Sequence, residues 1–183
     1  MSTATLQAPI TVEQFAALQC GDTEDYELVE GELIPLSSGT PLHARIRSRA
    51  ERLIAAWLDM NPVGAVFVEI DCRLTPRTVR RPDVSLFLGR AATDFDPNRT
   101  PVPYAPTIAI EVLSPSEGII NVNRKSLEYL AAGCSEVWLL DSANDMILIQ
   151  TNHGIRLLRR TDTLESPLLP GFAHSVSAFL GGL

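Results

Sequence analysis

The sequence predicts a mixed α/β (α+β) domain, with a central mixed sheet flanked by helices and one βαβ crossover. Three observations carry this. From Pro41 onward, apolar residues recur at spacings of three and four, as on one face of a long helix. TIAIEVL (107–113) and EVWLLD (136–141) are near-continuous apolar runs, the pattern of strands buried on both faces. Between them, residues 122 to 132 read as a helix. Strand, helix and strand within about 35 residues form a βαβ unit, with parallel pairing and a right-handed crossover.

The elements follow in order. Thr11 and Gln14 have capping-box spacing and start a short helix through Leu18. YELVEGELIPL alternates around Glu30-Gly31, a hairpin pattern. The long helix uses Leu42, Ile46, Ala50, Leu53, Ile54, Trp57 and Leu58, and Asn61-Pro62 ends it. GAVFVEIDCRL reads as one strand and RPDVSLFL as another, followed by a proline-rich loop from Gly89 to Pro106. SPSEG is a turn, and Gly133 fits the C′ position of the crossover helix. MILIQT and GIRLLRR form a hairpin around Asn152-His153-Gly154, and the tail holds one short element. One domain of 183 residues is expected, with its core over about 12–180.

Composition excludes several classes. Apolar residues make up 45% and charged residues 20%, as in globular proteins. No apolar run approaches the roughly 20 residues of a membrane helix, and no secretory signal pattern opens the chain. Cys20, Cys72 and Cys134 fit neither a disulfide framework nor a zinc site, and a cytoplasmic protein is expected. A net charge of −7 argues against a dedicated nucleic-acid binder. Three arginine groups, at 45–52, 73–81 and 156–160, leave open either a local basic groove or three solvated faces.

The informative residues are acids in apolar strands. Side chains alternate along a strand, so Glu111 shares a face with Ala109 and Leu113, opposite Ile110 and Val112. A carboxylate buried there needs a partner or a metal. Asp83 opens VSLFL behind Arg80 and Arg81 in the same fashion. Two acids at the ends of adjacent strands can share one hard divalent cation. The other reading pairs each acid with an arginine such as Arg81 or Arg124. Lys125 sits early in the crossover helix, where a cation opposes the helix dipole by about 0.3–1 kcal/mol. It lies on the side of Val122 and Tyr129, and spacing alone does not say whether that side faces the carboxylates. Glu69 and Asp71 read as exposed, with an extra metal ligand as the other reading of Glu69, His153 and His174 as surface residues, and Trp57 and Trp138 as core. Ser114 and Ser116 have no motif-bound base.

Pro82-Asp83, Glu111 in its apolar strand and a nearby lysine resemble the PD-(D/E)xK nuclease superfamily, with its restriction-endonuclease-like fold. Within it the chain resembles the Uma-two (Uma2) family of putative restriction endonucleases. YELVEGEL, His43 at the head of the long helix, RRPDVSLF, EVLSPS, KSLEYLAAG and SEVWLLD carry the resemblance, in this order. It implies that Asp83 and Glu111, with a backbone carbonyl near Val112, bind Mg²⁺ or Mn²⁺. The superfamily lysine stands two residues after the acid, where this chain has Leu113; in the Uma-two pattern it has moved to the next helix, and Lys125 matches it. Glu27 matches an acid that reaches the metal through water, and His43 a frequent histidine to which no role attaches. Asn121 departs from the usual aspartate, as a helix cap or in place of a charge-relay residue. The implied activity is metal-dependent endonucleolytic hydrolysis of phosphodiester bonds in DNA, held by its backbone, by a homodimer. The alternative is a binding or assembly module whose site has lapsed.

Overall fold

The structure is a computed structural model that describes residues 9–18, 26–36, 39–114 and 118–181. Cys20, Ser116 and part of the SPSEG turn lie outside the described residues. The helices are α1 (Val12–Leu18), α2 (Pro41–Met60), α3 (Ile119–Ala131) and α4 (Val176–Leu180). The strands are β1 (Tyr26–Val29), β2 (Glu32–Pro35), β3 (Gly64–Val68), β4 (Cys72–Thr75), β5 (Thr78–Arg80) and β6 (Val84–Leu88). After them come β7 (Ile108–Val112), β8 (Glu136–Asp141), β9 (Met146–Thr151), β10 (Gly154–Arg159), β11 (Thr163–Glu165) and β12 (Ala173–Ser175).

A six-stranded sheet of order β10-β9-β8-β7-β6-β3 forms the centre. Its β7–β8 pair is parallel and its other pairs are antiparallel, so the sheet is mixed. α3 is the crossover between the parallel strands, as the βαβ pattern requires. A smaller sheet, β2-β1-β5-β4, stands beside it, and β11–β12 is a third pair.

Local chemistry explains the element ends. Thr11 and Gln14 cap α1 reciprocally: the Thr11 amide donates to Gln14 Oε1 at 2.8 Å, and the Gln14 amide to Thr11 Oγ1 at 3.3 Å. Thr40 caps α2 at the His43 amide, and Pro41 takes the first helical position. α3 ends with Gly133 at φ 101°, where its amide donates to Leu130 O and the Cys134 amide to Tyr129 O. That double bond is the Schellman arrangement, and glycine suits its left-handed residue.

Each face of the central sheet packs differently. Ile108, Ile110 and Val112 of β7 join Ile46 and Ile54 of α2 and Phe179 of α4 in the main apolar core. Ala109, on the opposite face, joins Val122, Tyr129 and Leu130 of α3. Four rings, Phe67, Phe87, Phe95 and Tyr104, pack edge to face under the loop before β7.

Several expectations need correction. GAVFVEIDCRL is two strands, because Glu69 turns the chain at φ 50°, and β3 and β4 enter different sheets. β5 was hidden in TPRTVRR. β6 begins at Val84, since Arg81 to Asp83 form the passage between the two sheets. α3 starts at Ile119, three residues early, so Asn121 lies inside the helix and Gly118 occupies the cap position. The tail, residues 169–183, holds β12 and α4 rather than one element, and β11 lies just before it. Asp71 is buried, paired with Arg81, and His174 is half-buried against Phe172. Trp138 is fully buried; Trp57 is half-buried and donates to Pro170 O.

Candidate active site

The register of β6 against β7 pairs Val84 with Ile110. One step further sets Asp83 opposite Glu111, and the Val112 amide donates to Asp83 Oδ2 at 2.7 Å. Pro82 holds this step out of the ladder, because it has no amide hydrogen to donate. The Glu69 amide, turned by its positive φ, donates to the Asp83 carbonyl.

Glu111 is 8% exposed at the end of β7. Its two oxygens have different partners. Tyr129 donates to Oε1 at 2.7 Å, and Lys125 Nζ lies 3.2 Å from Oε2. Lys125 and Tyr129 are four residues apart on α3, so they share one helix face, and that face looks at the carboxylates. Burial pushes the Glu111 carboxyl up to about 7; the Lys125 charge opposes this, and the charges of Asp83 and Glu27 add to it. Burial and the Glu111 charge push the Tyr129 phenol well above its ordinary value, which keeps it a neutral donor.

Asp83 faces His43 on its other side. His43 Nε2 lies 3.2 Å from Asp83 Oδ2, and this hydrogen bond raises the imidazole above its ordinary value against the opposing effect of burial. Its Nδ1 is buried with no hydrogen-bond partner among the described residues. A Cβ on Gly39 would come within 2.9 Å of that nitrogen, so the glycine gives the ring its place.

Glu27 of β1 is also buried, with both oxygens engaged. Arg80 Nη1 donates to Oε2 and the Arg81 amide to Oε1, each at 2.8 Å, with Lys125 Nζ 3.6 Å from Oε1. Burial pushes this carboxyl up, and Lys125, Arg80 and the Arg81 amide more than reverse it, leaving it below its ordinary value. The acids do not pair with the two arginines considered from sequence: Arg81 binds Asp71 and Arg124 binds Glu128.

Glu27, His43, Asp83, Glu111, Asn121 and Lys125 all line one cavity of about 610 Å³. Most of the arginine groups are engaged inside the molecule, with Arg47 on Glu69, Arg73 on Glu13, Arg160 on Asp145 and Arg49 on the Leu180 carbonyl. Among the described residues, no three His, Cys, Asp or Glu side chains converge as a metal cage. A cation here would depend on two carboxylates and main-chain oxygen. No helix among the described residues is long and apolar enough to cross a membrane.

The sequence model of one family, described as "Putative restriction endonuclease", matches residues 12–177. This chain belongs to the Uma2 family. A crystal structure of a putative nuclease belonging to DUF820, from Anabaena variabilis, superimposes on it with a TM-score of 0.80. The two chains are 21% identical, over 94% of this chain and 98% of that one, a likeness of fold. Among the curated proteins, none matches this chain.

Three residues of the Uma2 cluster were not singled out from sequence. Tyr129 has a readable signal, its i+4 spacing from Lys125. Arg80 and Glu128 have none, since their meeting depends on how the small sheet docks on α3. A further signal is compositional: Lys125 is the sole lysine among 15 lysine and arginine residues.

Proposed function

We propose that this Uma2 chain is a Mg²⁺-dependent endonuclease that hydrolyses phosphodiester bonds of DNA. The observation that carries the reading is the pairing of Asp83 and Glu111 across β6 and β7, beside one ammonium, in an open cavity. The donor set fits a hard cation. Asp83 Oδ1 makes no hydrogen bond among the described residues, and Glu111, raised to about 7 by burial beside other acids, is a carboxyl whose charge is incompletely matched. Asp83, Glu111 and the carbonyl of Val112 would hold Mg²⁺, with Mn²⁺ as a substitute. When bound, such an ion polarises a phosphodiester and acidifies a water.

The chain's own residues supply the rest. Tyr129 fixes the Glu111 carboxylate, and His43 does the same for Asp83. Lys125 orients the attacking water or stabilises charge growing on the scissile phosphate. Arg124, more than half exposed at the cavity, is placed to contact the DNA backbone without reading bases. A homodimer would present two such sites, one for each strand.

Plasmid nicking in Mg²⁺ tests the reading, with wild type against Asp83→Ala and Lys125→Ala. Loss in both variants is expected, and equal products from all three would overturn it. Asn121 favours a second reading, a binding module with a lapsed site. It puts a neutral amide on the cavity wall where the family resemblance leads one to expect an aspartate. No nicking by wild type, together with retained DNA binding, would select that module.

A further inference from the structure

Behind Lys125 runs a chain of alternating charge, and one member has no part in the chemistry above. Arg80 is 3% exposed, and no other arginine among the described residues is as buried. Burying a guanidinium is costly unless its donors are matched. Here they are: Nη1 donates to Glu27 Oε2 at 2.8 Å, and Nε to Glu128 Oε2 at 2.7 Å. Glu27 is thus gripped by Arg80 on one oxygen, while its other oxygen faces Lys125. Lys125 lies between Glu27 and Glu111.

The position of this lysine creates a need. The α3 backbone fixes only its Cα, and the ammonium hangs from a flexible four-carbon stem. A carboxylate presented from a second element supplies the missing constraint, but only if that carboxylate is itself immobile. We propose that Arg80 is a positioning residue, which through Glu27 fixes the Lys125 ammonium against Glu111. The proposed function enters only in what Lys125 then does; the hold itself belongs to the resting protein. A merely structural Arg80 would act instead as a tie between β5 and α3 through Glu128.

The single lysine makes the test direct. Protein labelled with ¹⁵N-lysine carries one side-chain ammonium, and its hydrogen exchange is read by NMR at low temperature and mildly acid pH. In wild type the signal is expected to be protected. Glu27→Gln and Arg80→Lys, both close in shape, should speed its exchange by about tenfold or more, the scale of losing a hydrogen bond to a charged group. Glu128→Gln should leave it within about twofold, because the grip of Arg80 on Glu27 survives. Wild-type exchange in folded Arg80→Lys overturns the proposal. So does a Glu128→Gln effect as large as that of Arg80→Lys, which would assign the tie role. Should Arg80→Lys not fold, Glu27→Gln decides alone, and unchanged exchange there is fatal. Nicking measured on the same samples keeps the two ideas apart: a protected lysine without nicking ends the nuclease reading only, and nicking with an indifferent lysine ends this one only.

Discussion

Two glutamates are buried in adjacent parallel strands of the central sheet, and they are built for different ends. Glu136 opens β8 on the side of the main core, where Trp138 Nε1 donates to one oxygen at 2.7 Å and Ser166 Oγ to the other at 2.9 Å. Its donors are neutral, and it lines none of the site cavity. Glu111 ends β7 on the opposite face, between a phenol and an ammonium, opposite a second acid, and it opens on the cavity. Burial of an acid therefore does not mark a reactive site. Unbalanced charge at an accessible strand end is what sets the candidate site apart.

The sharpest break in the comparison is functional. Asp83→Ala and Glu111→Ala are expected to slow plasmid nicking by at least about a hundredfold, near 3 kcal/mol of barrier. Glu136→Ala should stay within about twofold of wild type, and an equal loss there would dissolve the distinction. Stability should show the reverse. Glu136→Ala leaves a buried indole N–H without its acceptor and is expected to cost about 1–3 kcal/mol in urea unfolding, whereas Asp83→Ala also relieves like-charge crowding of Glu111 and is expected to cost less.

The third test uses pH. The folded Glu111 carboxyl is raised from 4.5 to about 7, so between those values the folded chain holds a proton that the unfolded chain has released. The Glu111 contribution to the stability of the metal-free protein should therefore fall as pH rises through that window and level off above it. His43, also raised, adds a loss of the same sign from about 6.5 upward. In Glu111→Gln the decline below pH 6.5 should vanish, and in Glu136→Gln it should persist; thermal melts across pH read both. The smallest effect is expected from Gly39→Ala. Its methyl would press on His43 Nδ1 and tilt the ring that steadies Asp83, weakening Mn²⁺ binding by less than the tenfold typical of losing such a partner, roughly. Calorimetry that finds no change would remove His43 from the site's support.

Much of this contrast was readable before any coordinates. Alternation in TIAIEVL gave Glu111 its face, and the capping and glycine signals at Thr11 and Gly133 are local chemistry that the fold keeps. Whether Lys125 faced the acids was not readable, because a helix wheel has no absolute orientation until the helix is docked. The partition of β3, β4 and β5 between two sheets was hidden for a related reason. It turns on one left-handed residue, Glu69, and on a proline passage at 82, each too local to stand out in an apolar pattern. The buried network of Glu27, Arg80 and Glu128 joins positions about 50 and 100 residues apart, beyond the reach of periodicity.

The acids, the ammonium and their supports come from β1, α2, the passage before β6, β7 and α3, strung along the chain from Glu27 to Tyr129. No contiguous peptide holds them. A nascent chain whose crossover helix has not yet emerged, or a molecule cleaved and separated in the loop between β6 and β7, therefore has no cluster at all. The candidate site therefore forms only in a whole, folded copy.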